Sequence, residues 1–198
     1  MIIWINGAFG SGKTQTAYEL HRRLPGSYVY DPEEVGYLLR KMIPDEASKE
    51  DFQDYPSWRD CNYSILKYID KQYKGVIIVP MTVVNAQYFS EMVEQLRNDD
   101  LNVNHVVLWA AKPTIERRLR SRGERKNSWG AQQIDRCMSG LSHEIFENRI
   151  LTDHLTIEKV AETIADMFEI KLMPDDRSRV RKKWSRLKIQ IKQLRMFA

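Results

Sequence analysis

Cysteine is nearly missing from this chain: two in 198 residues, Cys61 and Cys137, with no C-x-x-C pair. That excludes a disulfide-stapled scaffold and a cysteine zinc site. It suits a reducing cytosol, with both thiols expected on helices or in the core. Long apolar runs are missing too, and Met1 leads straight into Ile2-Ile3-Trp4-Ile5 without a basic leader. Neither a signal peptide nor a transmembrane helix is therefore expected. The histidines His21, His105, His143 and His154 lack metal-ligand spacing and are expected at the surface or with satisfied ring nitrogens. No internal repeat or low-complexity block breaks the chain. Net charge is small, +4, but unevenly placed. From Lys171 to Ala198 ten Lys/Arg stand against Asp175 and Asp176, a net of +8, which leaves residues 1–170 at −4. A basic tail follows an acidic, enzyme-like body, and with 42% hydrophobic residues that body can bury a core.

What is present begins at Gly7. Residues Gly7-Ala8-Phe9-Gly10-Ser11-Gly12-Lys13-Thr14 spell G-x-x-x-x-G-K-T between an apolar strand and a helical pattern. Glycines let successive backbone N–H groups curl around phosphate oxygens at a helix N-terminus, where the dipole favours negative charge. Lys13 then reaches the β- and γ-phosphates and the Thr14 hydroxyl can ligate Mg²⁺. The pattern points to a nucleoside triphosphate, ATP by preference.

Apolar runs alternate with helical periodicity, which reads as α/β. Strands are expected at 2–6, 28–30, 75–80, 103–109 and 149–151. Helices are expected near 13–24, 32–43, 56–72, 85–98, 113–122, 130–147 and 156–169. Runs such as Val76-Ile77-Ile78-Val79 suit strands buried on both faces, hence a five-stranded parallel sheet in a three-layer fold, with ligands at the carboxyl ends of the strands.

Asp31 follows the second strand directly. It is read either as a general base or Mg²⁺ contact for phosphoryl transfer, or as a helix cap ahead of Pro32. The third strand ends Pro80-Met81-Thr82, without the Asp of a Walker-B strand, which raises the interest of Asp31. Arg118 and Arg122, one helical turn apart, either neutralise a transferring phosphoryl group or form a solvated basic face. Residues 123–130 read as a polar lid.

The plan resembles the nucleoside-monophosphate-kinase and shikimate-kinase group of P-loop phosphotransferases. In that group an R-L-x-x-R helix leads into a lid, its first arginine by the adenine and its second by the phosphates. The resemblance implies those roles for Arg118 and Arg122. It also implies an adenine-skirting loop at 152–156, with Asp153 as a nucleotide contact. Over nearly its whole length the chain is similar to the bacterial tunicamycin resistance proteins, through residues 2–16, 28–32, 51–58, 78–82 and 126–137. That likeness implies ATP binding, resistance to a nucleoside antibiotic by phosphorylation or sequestration, and peripheral membrane attachment.

Phe52, Tyr55, Trp58 and Arg59 offer flat apolar surfaces and polar edges suited to a uracil, sugars and a fatty chain; their helical spacing equally suits a core face. In the tail Val180, Trp184, Leu187, Ile191 and Leu194 form one helical stripe, with Arg181, Lys182, Lys183, Arg186, Lys188, Lys192 and Arg195 around it. Such a helix lies in an anionic interface, or docks on its own domain or a second subunit; no nucleic-acid partner is expected. Residues 1–170 are thus expected to form a P-loop kinase-like ATP-binding domain, and 171–198 a linker and basic amphipathic helix. The body would bind MgATP and tunicamycin, or a similar amphiphilic nucleoside, at the inner face of the bacterial membrane. In that reading Lys13, Arg118 and Arg122 stabilise the phosphoryl group, Thr14 holds Mg²⁺ and Asp31 activates a hydroxyl. A kinase of an ordinary small metabolite, its tail serving dimerisation, is the alternative.

Overall fold

Residues Ile2 to Ile5 are apolar without interruption because both faces of their strand are covered. Ile3 and Ile5 enter one hydrophobic cluster, while Ile2 and Trp4 enter another on the opposite side. The computed structural model describes residues 1–125, 127–146 and 148–194, with side chains to Ile191. Five strands, β1 (Ile2–Gly7), β2 (Tyr28–Val29), β3 (Ile77–Pro80), β4 (Val103–Trp109) and β5 (Arg149–Leu151), form one parallel sheet in the order β2-β3-β1-β4-β5. The register sets Ile3 opposite Ile78 on one side and Asn104 on the other. This is the α/β parallel architecture expected from the continuous apolar runs.

Helices α1 (Lys13–Arg23), α2 (Glu33–Met42) and α3 (Pro56–Gln72) follow in chain order. Next, α4 (Ala86–Phe89), a π-helical stretch Ser90–Glu94 and α5 (Gln95–Asn98) occupy the expected 85–98 segment. The chain then forms α6 (Lys112–Ser121), α7 (Trp129–Gln132), α8 (Ile134–Gly140), α9 (Ile157–Met167) and α10 (Arg179–Leu194). Helices α1 and α9 cover the Ile3 side of the sheet through Ala17, Leu20, Val160, Ala161 and Ile164. The Trp4 side is covered by Trp58 and Leu66 of α3 and by Phe89, Met92, Val93 and Leu96.

Three expectations need correction. The helix expected over 130–147 breaks into α7 and α8 and stops at Gly140, followed by turns to Phe146; Glu147 lies outside the described residues. Arg149 takes the Leu141 carbonyl (2.9 Å), and Phe146 turns inward against Phe89 at 5.1 Å, burial a continuing surface helix could not offer. The second strand is also shorter than expected by these bounds, although Tyr30 N still donates to Ile78 O (2.9 Å). Lastly, His105 is neither superficial nor satisfied. It lies buried between Phe89 and Phe146, its Nε2 without a partner, and burial pushes its pKa down to about 3.

Candidate active site

Asn6 ends β1 and prepares the phosphate loop. Its Oδ1 accepts from Gly7 N (2.8 Å) and Val83 N (3.0 Å), and its Nδ2 donates to Val83 O (2.8 Å). The chain leaving β1 is thereby stapled to the chain leaving β3. Gly7, Gly10 and Gly12 of this loop all take positive φ. Gly7, at φ 145°, would place a Cβ 2.7 Å from the Leu108 carbonyl, and Gly12, at φ 105°, immediately precedes α1. A concave loop over a helix N-terminus results, as phosphate binding requires. Ser11 Oγ is buried there without a hydrogen-bond partner, a donor waiting inside an anion cradle. These features fit a bound phosphate chain.

Lys13 reaches back over this loop, donating to Gly7 O (3.0 Å) and Ala8 O (3.1 Å). Burial brings its ammonium down to about 8; Arg122 pushes the same way, and Cys137, Glu33 and Asp31 oppose it. Arg122 stands just past the end of α6, open to solvent yet ringed by protein, and desolvation lowers its pKa. Its guanidinium has no hydrogen bond or ion pair among the described residues. Two under-neutralised cations therefore converge on the loop, an arrangement that favours a polyanion.

Asp31, half-buried beyond the end of β2, is close enough to Lys13 for each to perturb the other. Its Oδ1 accepts from Glu33 N (3.0 Å), so the capping role is real; Oδ2 is left for other use. Burial raises its pKa to about 7, helped by the charges of Glu33 and Glu34. A carboxylate with that affinity suits a general base near neutral pH. Among the described residues no group of three or more His, Cys, Asp or Glu could hold a metal. Thr14, in the first turn of α1, and Asp31, near Lys13, are oxygen-bearing residues of the type a magnesium ion held mainly by phosphate oxygens takes.

Arg118 is placed differently from Arg122. Its Nη1 donates to Thr152 Oγ1 (3.0 Å) and Ser11 O (3.3 Å), and its Nη2 to Thr152 O (2.5 Å). It ties the phosphate loop to the segment after β5. Asp153 accepts from Ala111 N (3.1 Å) at the start of α6, which holds its carboxyl below the usual range together with a Thr114 hydrogen bond. In the segment expected as a lid, 123–130, Trp129 meets Phe9 of the phosphate loop edge-on at 4.9 Å; Lys126 lies outside the described residues.

Phe52, Tyr55 and Trp58, from the insertion between β2 and β3, belong to the core on the Trp4 side of the sheet, with Arg59 buried beside them. Trp58 is fully buried, donates to Pro32 O (2.9 Å) and packs on Phe52 at 5.3 Å. Tyr55 is buried, its hydroxyl accepting from Lys49 N (2.6 Å). Arg59 binds Glu91 and Gln53 O and covers the Tyr88 ring at 4.1 Å. Their polar ends are thus engaged within the protein, with Trp58 anchored on the residue next to Asp31. Gln53 extends this cluster to the loop: its Nε2 donates to Thr82 O (3.0 Å), while Thr82 Oγ1 donates to Gly7 O (2.8 Å).

Sequence reasoning missed Glu33, which faces both Asp31 and Lys13 and is held by the Tyr37 hydroxyl at 3.0 Å. Its signal was the spacing Asp31-Pro32-Glu33. It also missed the Asp51–Arg136 pair (3.2 Å), which links the insertion to α8. Side chains 85 positions apart leave no local pattern.

Comparison with known proteins gives consistent relatives. A family model described as AAA domain matches residues 2–142. The tunicamycin resistance protein of Deinococcus radiodurans is 36% identical, with a TM-score of 0.76 over 88% of this chain and 98% of that one. A sugar kinase from Janibacter sp. HTCC2649 shares the fold at 17% identity and TM-score 0.60, covering 85% of this chain and 94% of its own. Shikimate kinase from Bacteroides thetaiotaomicron does so at 19% and 0.57, covering 86% and 99%. Among curated sequences none matches.

Proposed function

The chain belongs to the AAA domain family and is kin to a tunicamycin resistance protein, and from that premise we propose that it is an ATP-dependent phosphotransferase acting on tunicamycin or a similar amphiphilic nucleoside. A nucleotide-binding, kinase-like protein is what the family and fold give; transfer to the drug is the step beyond. The observation that carries it is Asp31, a half-buried carboxylate beside Lys13 with its pKa near 7 and Oδ2 uncommitted. A protein that only held the drug would have no need of a base there.

Bound MgATP would supply the phosphoryl group. Lys13 would exchange its bonds to Gly7 O and Ala8 O for phosphate oxygens, its charge held more firmly as an anion offsets its burial. Arg122 would neutralise charge on the transferring group and Thr14 would hold Mg²⁺ with Asp31 nearby. Asp31 Oδ2 would receive the proton of the acceptor hydroxyl. Arg118 would keep the loop and the 152–156 segment in place, with Asp153 on the nucleotide side. Phe52, Tyr55, Trp58 and Arg59 would act as the wall that shapes the acceptor side. The basic tail would attach the protein to the inner face of the membrane; no described helix is long and apolar enough to cross one.

Mass spectrometry of tunicamycin incubated with the protein and MgATP tests transfer. A mass increase of one phosphate is expected, lost in Asp31→Asn. Unmodified drug retained stoichiometrically would replace transfer by sequestration.

A further inference from the structure

Helix α10 docks with its polar side inward. Lys182, Ser185, Arg186 and Ile189 face the body, whereas Val180, Trp184, Leu187 and Ile191 are 63, 60, 44 and 43% exposed. At 3.6 residues per turn these two sets lie on opposite sides of the helix. The reason is the surface it meets. The outer face of α1 presents Gln15, Glu19 and Arg22 here, and α9 presents Glu158 in its first turn. That surface presents several charges to satisfy beside Tyr18 and Ile157. Arg177 pairs with Glu19 (2.6 Å) and Asp175 (2.8 Å), Lys182 with Asp175 (2.9 Å) and Arg186 with Glu158 (2.7 Å). Gln15 Nε2 adds a hydrogen bond to Arg186 O (3.1 Å).

We propose that α10 meets an anionic lipid surface while still docked, so that bilayer, α10 and the P-loop helix α1 stack in that order. The inference rests on the reading of the tail as a membrane attachment and adds how the attachment is made. The outward ridge is flanked by exposed Arg181 and Lys188 on one side and Lys183 on the other, and residues 177–191 contain no acid. Such a ridge complements anionic headgroups, with Trp184 and the aliphatic side chains entering the interface. A second copy of the chain fits worse, because two such ridges face to face would bring like charges together.

Docking divides the cations into two groups. Lys182 and Arg186 are committed to Asp175 and Glu158, whereas Arg181, Lys183 and Lys188 stay available to lipid. A tail that undocked to bind would use neighbours Lys182 and Lys183 alike. The test is sedimentation of the full chain with phosphatidylcholine vesicles containing or lacking phosphatidylserine. For docked binding, Lys183→Gln lowers affinity for the anionic vesicles about fivefold, the worth of one basic residue at such a surface. Lys182→Gln changes it less than about twofold on the same scale, and Trp184→Asp removes most of it. Thermal unfolding of each variant checks that the body is intact. Equal losses from Lys182→Gln and Lys183→Gln, or no loss from either, overturn docked binding while membrane attachment stands. An unaltered chain that never sediments with anionic vesicles overturns the attachment itself and this proposal with it.

Discussion

Lys13 and Asp31 share one floor, and their roles separate under substitution. Lys13→Ala removes the cation that reaches the phosphate loop, so nucleotide affinity should fall at least tenfold with little change in thermal stability. Equilibrium binding of a fluorescent ATP analogue measures it; unchanged affinity would sink the phosphate-loop assignment. Asp31→Asn keeps the side chain's size and its cap to Glu33 N but abolishes the base. Turnover should drop by roughly 10²-fold or more while nucleotide binding survives. His105 carries a different consequence. Its pKa near 3, below the ordinary 6.5, means the unfolded chain takes up a proton that the folded chain refuses. Its contribution to stability is therefore complete above about pH 6.5 and drains away as pH falls toward 3, by up to roughly 1.4 kcal/mol per pH unit. Denaturant titrations at pH 7, 6 and 5 should show a shallower acid slope for His105→Leu than for the unaltered chain. Identical slopes would mean that His105 titrates normally.

At the level of elements, the lid region illustrates how far pattern reaches. The R-L-x-x-R spacing singles out Arg118 and Arg122, but it does not give them one environment. Arg118 is tied to Thr152 and Ser11, whereas Arg122 lies past the helix end. The segment beyond them was legible as polar and glycine-bounded, yet the break after Gly140 was not. That break goes with the close approach of Gly140 to Val84, where an added Cβ would lie 2.7 Å from Val84 O, and with Phe146 finding Phe89, both between remote parts of the chain. Trp129 packs edge-on against Phe9, an aromatic pair worth about 1 kcal/mol. Trp129→Ala should speed amide exchange across 129–140 about fivefold, without altering exchange in β1 or β4. Exchange unchanged in α7 and α8 would show that this contact does not hold the lid.

For the whole molecule, charge is partitioned as sharply in space as in sequence. The Lys182–Asp175 and Arg186–Glu158 pairs are partly exposed and position α10 more than they stabilise the fold, while Arg177–Glu19 is nearly buried. Deleting residues 177–198 should lower the melting temperature by only a few degrees and leave nucleotide binding intact, while vesicle sedimentation disappears. Raising salt to about 1 M, where the Debye length is about 3 Å, should weaken sedimentation of the full chain in the same direction. A truncated chain that failed to fold would show the tail to be part of the core structure.

Local grammar was enough for the parallel sheet, the phosphate loop and the two-toned charge of this protein. Each arises among neighbours: a strand's apolar run, glycines at set spacing, a tail without acids after Asp176. Asp31 belongs here too, since a carboxylate immediately after a strand is carried to the sheet's ligand edge by topology alone. Tertiary structure decided what depends on distant partners. It gave Asp31 its near-neutral pKa through burial beside Glu33. It took up the polar ends of Tyr55, Trp58 and Arg59 within the insertion and its neighbours. It also turned the tail's apolar stripe outward, because the helix surface awaiting it was already charged. A hydrophobic stripe announces that something will be buried against it; which side faces the body is set by the free energy of the surface it meets, and that surface is assembled only on folding.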